Sequence, residues 1–208
     1  MDVAAIRLEK RRLRRAIRAA ILALDPEKRR DEDRLILERF ADLPGLDSAR
    51  VLLLYASYFA EEVPTWPLLA AAIGRGAAVA CPIIEGTTRQ LRLARIAGEA
   101  DFHPGPGGIP EPRPTCPIVE PEAVDWALVP GLGYDDRADR LGRGAGHYDR
   151  LLPRLRPEVP RWSLALSPQW VASIPTESHD QPLTGVLGAD RLVIAVQSAT
   201  NRMAGGSA

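Results

Sequence analysis

The sequence predicts an α/β fold: a three-layer, Rossmann-like domain whose largely parallel or mixed sheet is flanked by helices. Three observations carry this expectation. Short apolar runs of strand length recur near 51–55, 77–81, 126–129, 162–166 and 192–196, the pattern of strands covered on both faces. Segments with helical spacing precede or separate several of them. Glycine and proline punctuate the boundaries, at Pro44-Gly45, Gly74, Pro82 and Pro130-Gly131.

Taken in order, residues 2–23 read as an amphipathic helix with Val3, Ile6, Leu13, Ile17 and Ile21 near one stripe. Its polar side carries Arg7, Lys10, Arg11, Arg12, Arg14, Arg15 and Arg18 against Glu9 alone. Lys10 and Arg14 stand four apart, so both can reach one point in space. Such a face is either solvated or gathered by an anion. Asp25-Pro26 supplies an N-cap followed by proline for a second helix to about Ala41, with Leu35, Ile36 and Phe40 inward. Val51 to Tyr55 is a central strand. The turn after it holds Ser57, Glu61, Glu62 and Thr65, and residues 65–73 return as a helix ending at Gly74. Ala77 to Cys81 is the next strand, stopped by Pro82. That order puts the Glu61-Glu62 loop at a strand's carboxyl end, where open α/β sheets bind ligands.

Gln90 to Ile96 alternates as a strand with Leu91 and Leu93 on one face. His103 to Pro117 is so rich in proline and glycine that neither a helix nor a central strand is expected. It is either a lid-like loop or an irregular crossing. Trp126 to Val129 is a buried strand closed by Pro130-Gly131, and a helix is expected from Tyr148 until Pro153 or Pro157 stops it. Trp162, Leu164 and Leu166 alternate as another strand, and Leu192 to Val196 is the last. One domain over 1–196 is expected, with a flexible tail over 197–208.

Composition excludes several classes. At 208 residues with 46% apolar content, the chain can bury a substantial core, and wholesale disorder is not expected. Twenty-seven basic and 27 acidic residues cancel, which argues against a protein that coats nucleic acid. No apolar run approaches the about 18 residues needed to span a bilayer. Cys81 and Cys116 are too few for a disulfide framework, which suits a reducing cytoplasm. No nucleic-acid or membrane partner is expected; small molecules are, for a monomer or weak homodimer.

The chemistry concentrates in Val129 to Leu152, VPGLGYDDRADRLGRGAGHYDRLL. Gly142, Gly144 and Gly146 alternate with Arg143 and Ala145, leaving backbone N–H groups uncovered and able to turn toward one anion. A helix starting after such a loop adds its positive end. Arg140 and Arg143 bring full charges, and Asp135, Asp136, Asp139 and Asp149 bring carboxylates suited to Mg²⁺. The spacing is neither a Walker A loop, since no Lys-Ser or Lys-Thr follows, nor the GxGxxG dinucleotide fingerprint.

RLGRGAGHYDR preceded by VPGLGYD resembles the signature of the 5-formyltetrahydrofolate cyclo-ligase family, also called 5,10-methenyltetrahydrofolate synthetases. Four separated stretches agree in order: the Lys-Arg-x-Leu-Arg pattern at 10–14, Glu62-Val63-Pro64-Thr65, the glycine signature, and Pro175-Thr176-Glu177-Ser178-His179-Asp180. Gly108-Ile109-Pro110-Glu111-Pro112 also resembles a family segment, and no catalytic role is assigned to it. The resemblance implies ATP-dependent cyclisation of 5-formyltetrahydrofolate to 5,10-methenyltetrahydrofolate, with ADP and phosphate released. For the nucleotide it implies Lys10, Arg11, Arg12, Leu13, Arg14, Arg140, Leu141, Gly142, Arg143, Gly144, Ala145, Gly146, His147 and Tyr148. For the folate it implies Arg14, Ser57, Glu62, Arg143, Gly144, Ala145, Gly146 and His147, and for Mg²⁺ it implies Asp149 and Asp180. No covalent nucleophile is needed. The chain departs from the family at Pro64, His147 and Thr184, where an acid, a Tyr and an Asp are usual. Two other readings remain at this stage: a transition-metal phosphoesterase built on His147, Asp149, His179 and Asp180, and an RNA-binding module built on the basic first helix.

Overall fold

A computed structural model describes residues 2–86, 88 and 90–195. Four helices and twelve strands follow in chain order: α1 (Val3–Leu22), α2 (Pro26–Phe40), β1 (Val51–Leu53), α3 (Trp66–Gly74), β2 (Ala78–Ile84), β3 (Leu91–Ile96), β4 (Phe102–Pro104), β5 (Pro110–Pro112), β6 (Ile118–Val119), β7 (Trp126–Leu128), β8 (Gly133–Tyr134), β9 (Arg140–Leu141), α4 (His147–Leu151), β10 (Arg161–Ala165), β11 (Gly185–Gly188) and β12 (Leu192–Ile194). Eight strands form one sheet in the order β12-β11-β10-β7-β1-β2-β3-β6. The five central strands run parallel. β12 on one edge, and β3 and β6 on the other, are antiparallel. The expected mixed, mostly parallel sheet is therefore present.

Period-2 alternation splits the core into two layers. Leu52, Leu54, Val79, Trp126, Leu128, Trp162 and Leu164 pack with Leu13, Ile17 and Ile21 of α1, Ile36 and Phe40 of α2, and Leu68 and Leu69 of α3. On the other face Leu53, Ala80, Ala127, Val129 and Val186 pack with Leu151, Leu152 and Leu155 at and beyond α4. Chain order sets where the crevice lies. From β1 the chain builds outward through β2, β3 and β6, then returns to β7 on β1's other side and builds the opposite way. The switch point falls between β1 and β7, where ligands of such sheets bind beyond the carboxyl ends.

Several sequence expectations are corrected. Pro82 does not stop β2, which continues to Ile84. The Leu54 N–H donates to Ala80 O, so Ala80, Pro82 and Ile84 turn their backbone polar groups toward β1. β1 has ended by then, so the N–H that Pro82 lacks would have had no strand to bond. Leu35 is half-exposed, and Glu32 instead joins Ile36 and Phe40 at i, i+4 spacing. Its buried carboxylate accepts the Ser167 N–H at 2.7 Å. Val3 is exposed, and Lys10 is buried in the stripe of α1 with Leu13, Ile17 and Ile21. The segment after His103 is not wholly irregular, because β4 and β5 pair as a small ribbon. The helix after the glycine loop is one short turn, and a 3-10 turn at Leu152–Arg154 follows it. Val196 and the tail over 197–208 lie outside the described residues.

Candidate active site

The glycine loop is hung from the β8–β9 hairpin. In the hairpin turn, the buried Asp135 carboxylate accepts the N–H groups of Arg137, Asp139 and Ile174 and the Arg137 guanidinium. Asp135 is thus committed to shaping the turn. Asp136 pairs with Arg191 and Asp139 with Arg137, so of the four signature aspartates only Asp149 reaches the crevice. β9 then delivers Arg140 beneath the loop. Its guanidinium, with only 4% of the side chain exposed, donates to Asp149 Oδ1 at 2.5 Å.

The loop divides the crevice into two compartments that share Arg140, Gly142, Gly146 and Asp149. One is an apolar cleft whose enclosed and solvent-open space together amount to about 920 Å³. It is walled by Tyr55 and Ala56 after β1, Cys81, Pro82 and Ile84 on β2, Leu91 on β3, and Pro130 and Gly131 after β7. Tyr148 lines it too, with a buried hydroxyl that meets no hydrogen-bond partner among the described residues, and burial pushes that phenol far above its ordinary pKa. The apolar lining suits a flat organic molecule.

The other compartment is charged. Arg7, Lys10, Arg11, Arg14 and Arg140 line it, against Asp149, Glu177 and Asp180. Lys10 Nζ bonds Asp180 at 2.5 Å and Glu177 at 3.1 Å. Hydrogen bonding to Lys10 holds the Glu177 carboxyl below its usual range. Arg14 Nε donates to Gly142 O at 2.8 Å, and no acid among the described residues forms an ion pair with it. Burial, then the nearby Arg18 charge, lowers its pKa. A half-buried cation with no counter-ion, facing open backbone, is a place for an anion. Gly144 and Gly146 take φ of +111° and +67°, conformations that favour glycine.

Several expected residues fall elsewhere. Arg12 is in solvent, paired with Glu9, and Leu13 is in the core. Ser57 and Thr65 clasp one another through both backbone N–H groups and both hydroxyls, and Ser57 does not line either compartment. Glu62 lines the apolar cleft, but its Oε2 caps the N–H groups of Tyr58 and Phe59. Arg143 crosses from the glycine loop to Glu61 and Glu62 at 3.2 and 3.4 Å, and its guanidinium lies 3.5 Å from the Phe59 ring centre. Burial pushes the Glu61 carboxyl up, yet hydrogen bonds and the charges of Arg143 and Arg18 outweigh it and hold Glu61 low. His147 lines the apolar cleft beside Arg150, at 3.4 Å from its Nδ1. Sequence reasoning missed the apolar walls and Glu111, because apolar strand ends read like ordinary core.

Among the described residues no three His, Cys, Asp or Glu side chains gather as a metal centre. The residues present do fit Mg²⁺. Among the described residues, Asp149 Oδ2 accepts no hydrogen bond and Asp180 Oδ1 has only His179, at 3.8 Å. Two hard carboxylate oxygens, with phosphate and water completing the set, suit that ion. No helix among the described residues is long and apolar enough to cross a membrane, and Cys81 and Cys116 are free thiols.

A charged compartment and an apolar compartment meet on either side of one glycine loop at the carboxyl ends of an open, mostly parallel sheet, the layout of a ligand-binding α/β protein. The sequence profile of the 5-formyltetrahydrofolate cyclo-ligase family matches residues 6–189, and the chain belongs to that family. The mitochondrial 5-formyltetrahydrofolate cyclo-ligase of Arabidopsis thaliana is 26% identical over 94% of this chain and 79% of its own length. The Mus musculus 5-formyltetrahydrofolate cyclo-ligase is 24% identical over 91% and 98%. The structure of Aquifex aeolicus 5,10-methenyltetrahydrofolate synthetase superimposes with a TM-score of 0.77 at 26% identity, covering 93% of this chain and 98% of that one.

Proposed function

We propose that the chain closes 5-formyltetrahydrofolate to 5,10-methenyltetrahydrofolate at the expense of ATP. The observation that carries this reading is the shared wall: Arg140, Gly142, Gly146 and Asp149 line both compartments, so a folate in one and a nucleotide in the other meet across the loop. The formyl oxygen is a poor leaving group at neutral pH. It attacks the γ-phosphorus and ADP departs; N10 of the same molecule then attacks the formyl carbon, losing its proton, and the oxygen leaves with inorganic phosphate.

The chain's part is positioning and charge neutralisation. Loop amides, Arg14 and Lys10 hold phosphate oxygens, with Lys10 released in part from Glu177 and Asp180. Arg140 fixes Asp149, and Asp149 with Asp180 would hold Mg²⁺, whose charge would offset that of the phosphates. The apolar walls exclude water from the activated folate. In this reading Tyr148 serves the folate side of the loop, since it lines the apolar cleft and not the charged compartment. The phosphoesterase and RNA-binding readings gain no supporting observation.

Purified protein mixed with ATP, Mg²⁺ and 5-formyltetrahydrofolate is expected to produce the absorbance of the methenyl product, and to give none when ATP is omitted. Absence of product with all three present contradicts the assignment.

A further inference from the structure

Glu111 sits in the apolar cleft with no ion-pair partner among the described residues. Only 5% of the residue is exposed, and it lines the compartment that Tyr55, Ile84, Leu91 and Tyr148 make apolar. Oε1 accepts the Ile84 N–H at 3.1 Å, at the end of β2 where β1 no longer runs alongside. Oε2 accepts no hydrogen bond among the described residues, and no Lys, Arg or His there forms an ion pair with Glu111. Burying a carboxylate without a cation or a full set of donors is costly. The local chain nevertheless holds it firmly. Pro110 and Pro112 fix φ on either side, and β5 is paired to β4. A Cβ at Gly105 would stand 2.6 Å from Glu111 Cδ, so the glycine clears the space that the carboxylate occupies.

We infer that Glu111 is a specificity-determining residue of the folate compartment, whose carboxylate takes the vicinal N–H donors of a fused 2-aminopyrimidinone ring. A carboxylate is acceptor-only, and a planar edge carrying an amino group beside a ring N–H matches it with two parallel charge-assisted bonds. The ring's faces lie against apolar walls, so this edge contact fixes the ring's orientation. The inference rests on the proposed folate substrate and adds the residue that selects its ring.

Binding without ATP separates the two claims. The probes are 5-formyltetrahydrofolate and its analogue with the 2-amino group replaced by hydrogen. Wild-type protein is expected to bind the analogue at least about tenfold more weakly. Glu111→Gln keeps an acceptor for Ile84 N–H but loses the charge. Its Kd for 5-formyltetrahydrofolate is expected to rise about tenfold or more, its penalty for the analogue to shrink below about threefold, and its ATP affinity and melting temperature to hold. Equal wild-type affinity for the two folates overturns the inference even if the variant fails to fold. So does a variant that weakens both folates equally, which would mark a purely structural role. Wild-type protein that binds the folate selectively yet makes no methenyl product would refute the proposed reaction and leave Glu111's role standing; wild-type protein that binds neither folate would refute both.

Discussion

Gly144→Val is expected to weaken ATP binding at least tenfold, about 1.4 kcal/mol, while changing the melting temperature little. Gly144 is exposed and takes φ of +111°, which a β-branched residue does not tolerate. Its added side chain would also meet the Arg14 guanidinium, whose Cζ lies 3.4 Å from the Cβ position. Arg14 holds Gly142 O, so the disturbance reaches both the backbone cradle and its free cation. Arg143→Ala supplies the contrast. It keeps the loop backbone but removes one cation from the loop, leaving Glu61 to Arg18 and Glu62 without its ion pair, so its loss of ATP affinity should depend more strongly on salt. Calorimetric titration of each folded variant reads both. An unchanged ATP affinity for Gly144→Val would reduce the loop to a surface turn.

Asp149→Asn should lower kcat/KM for Mg²⁺-ATP about a hundredfold, on the order of 2.7 kcal/mol. The change removes charge and little volume, but Asp149 faces two tasks. It is the counter-ion of a nearly buried Arg140, and it offers the oxygen that suits Mg²⁺. Stability should therefore fall along with activity, since a buried charge that loses its partner is penalised. Asp180→Asn should be milder, because Lys10 keeps Glu177. Titrating Mg²⁺ separates the tasks: a metal ligand's loss raises the Mg²⁺ needed for half-maximal rate. Normal turnover of Asp149→Asn at limiting Mg²⁺ would remove that residue from the metal site.

Much of this was legible in the sequence because it rests on local rules. Buried parallel strands read as apolar runs, so β1, β7 and β10 fall where expected. The glycine alternation marked the uncovered loop, and two of its glycines take positive φ. What escaped was decided by tertiary context. Pro82 is harmless only because a neighbouring strand ends early. Lys10 occupies a core-facing position of α1 because Glu177 and Asp180, far away in sequence, meet it there. Ser57 and Glu62 had the right chemistry in the right loop, yet short-range hydrogen bonds claim Ser57 entirely and one oxygen of Glu62. Glu111 lay in a proline-rich segment that gave no periodic signal, and only the folded ribbon brings it to the cleft.

In the proposed reaction the two compartments bring the folate's formyl oxygen against the γ-phosphate across the glycine loop. Substrate labelled with ¹⁸O at the formyl group tests it most directly, with the inorganic phosphate analysed by mass spectrometry. The label is expected to pass into phosphate, one labelled oxygen for each methenyl product formed. Label recovered in water, with unlabelled phosphate, would contradict it.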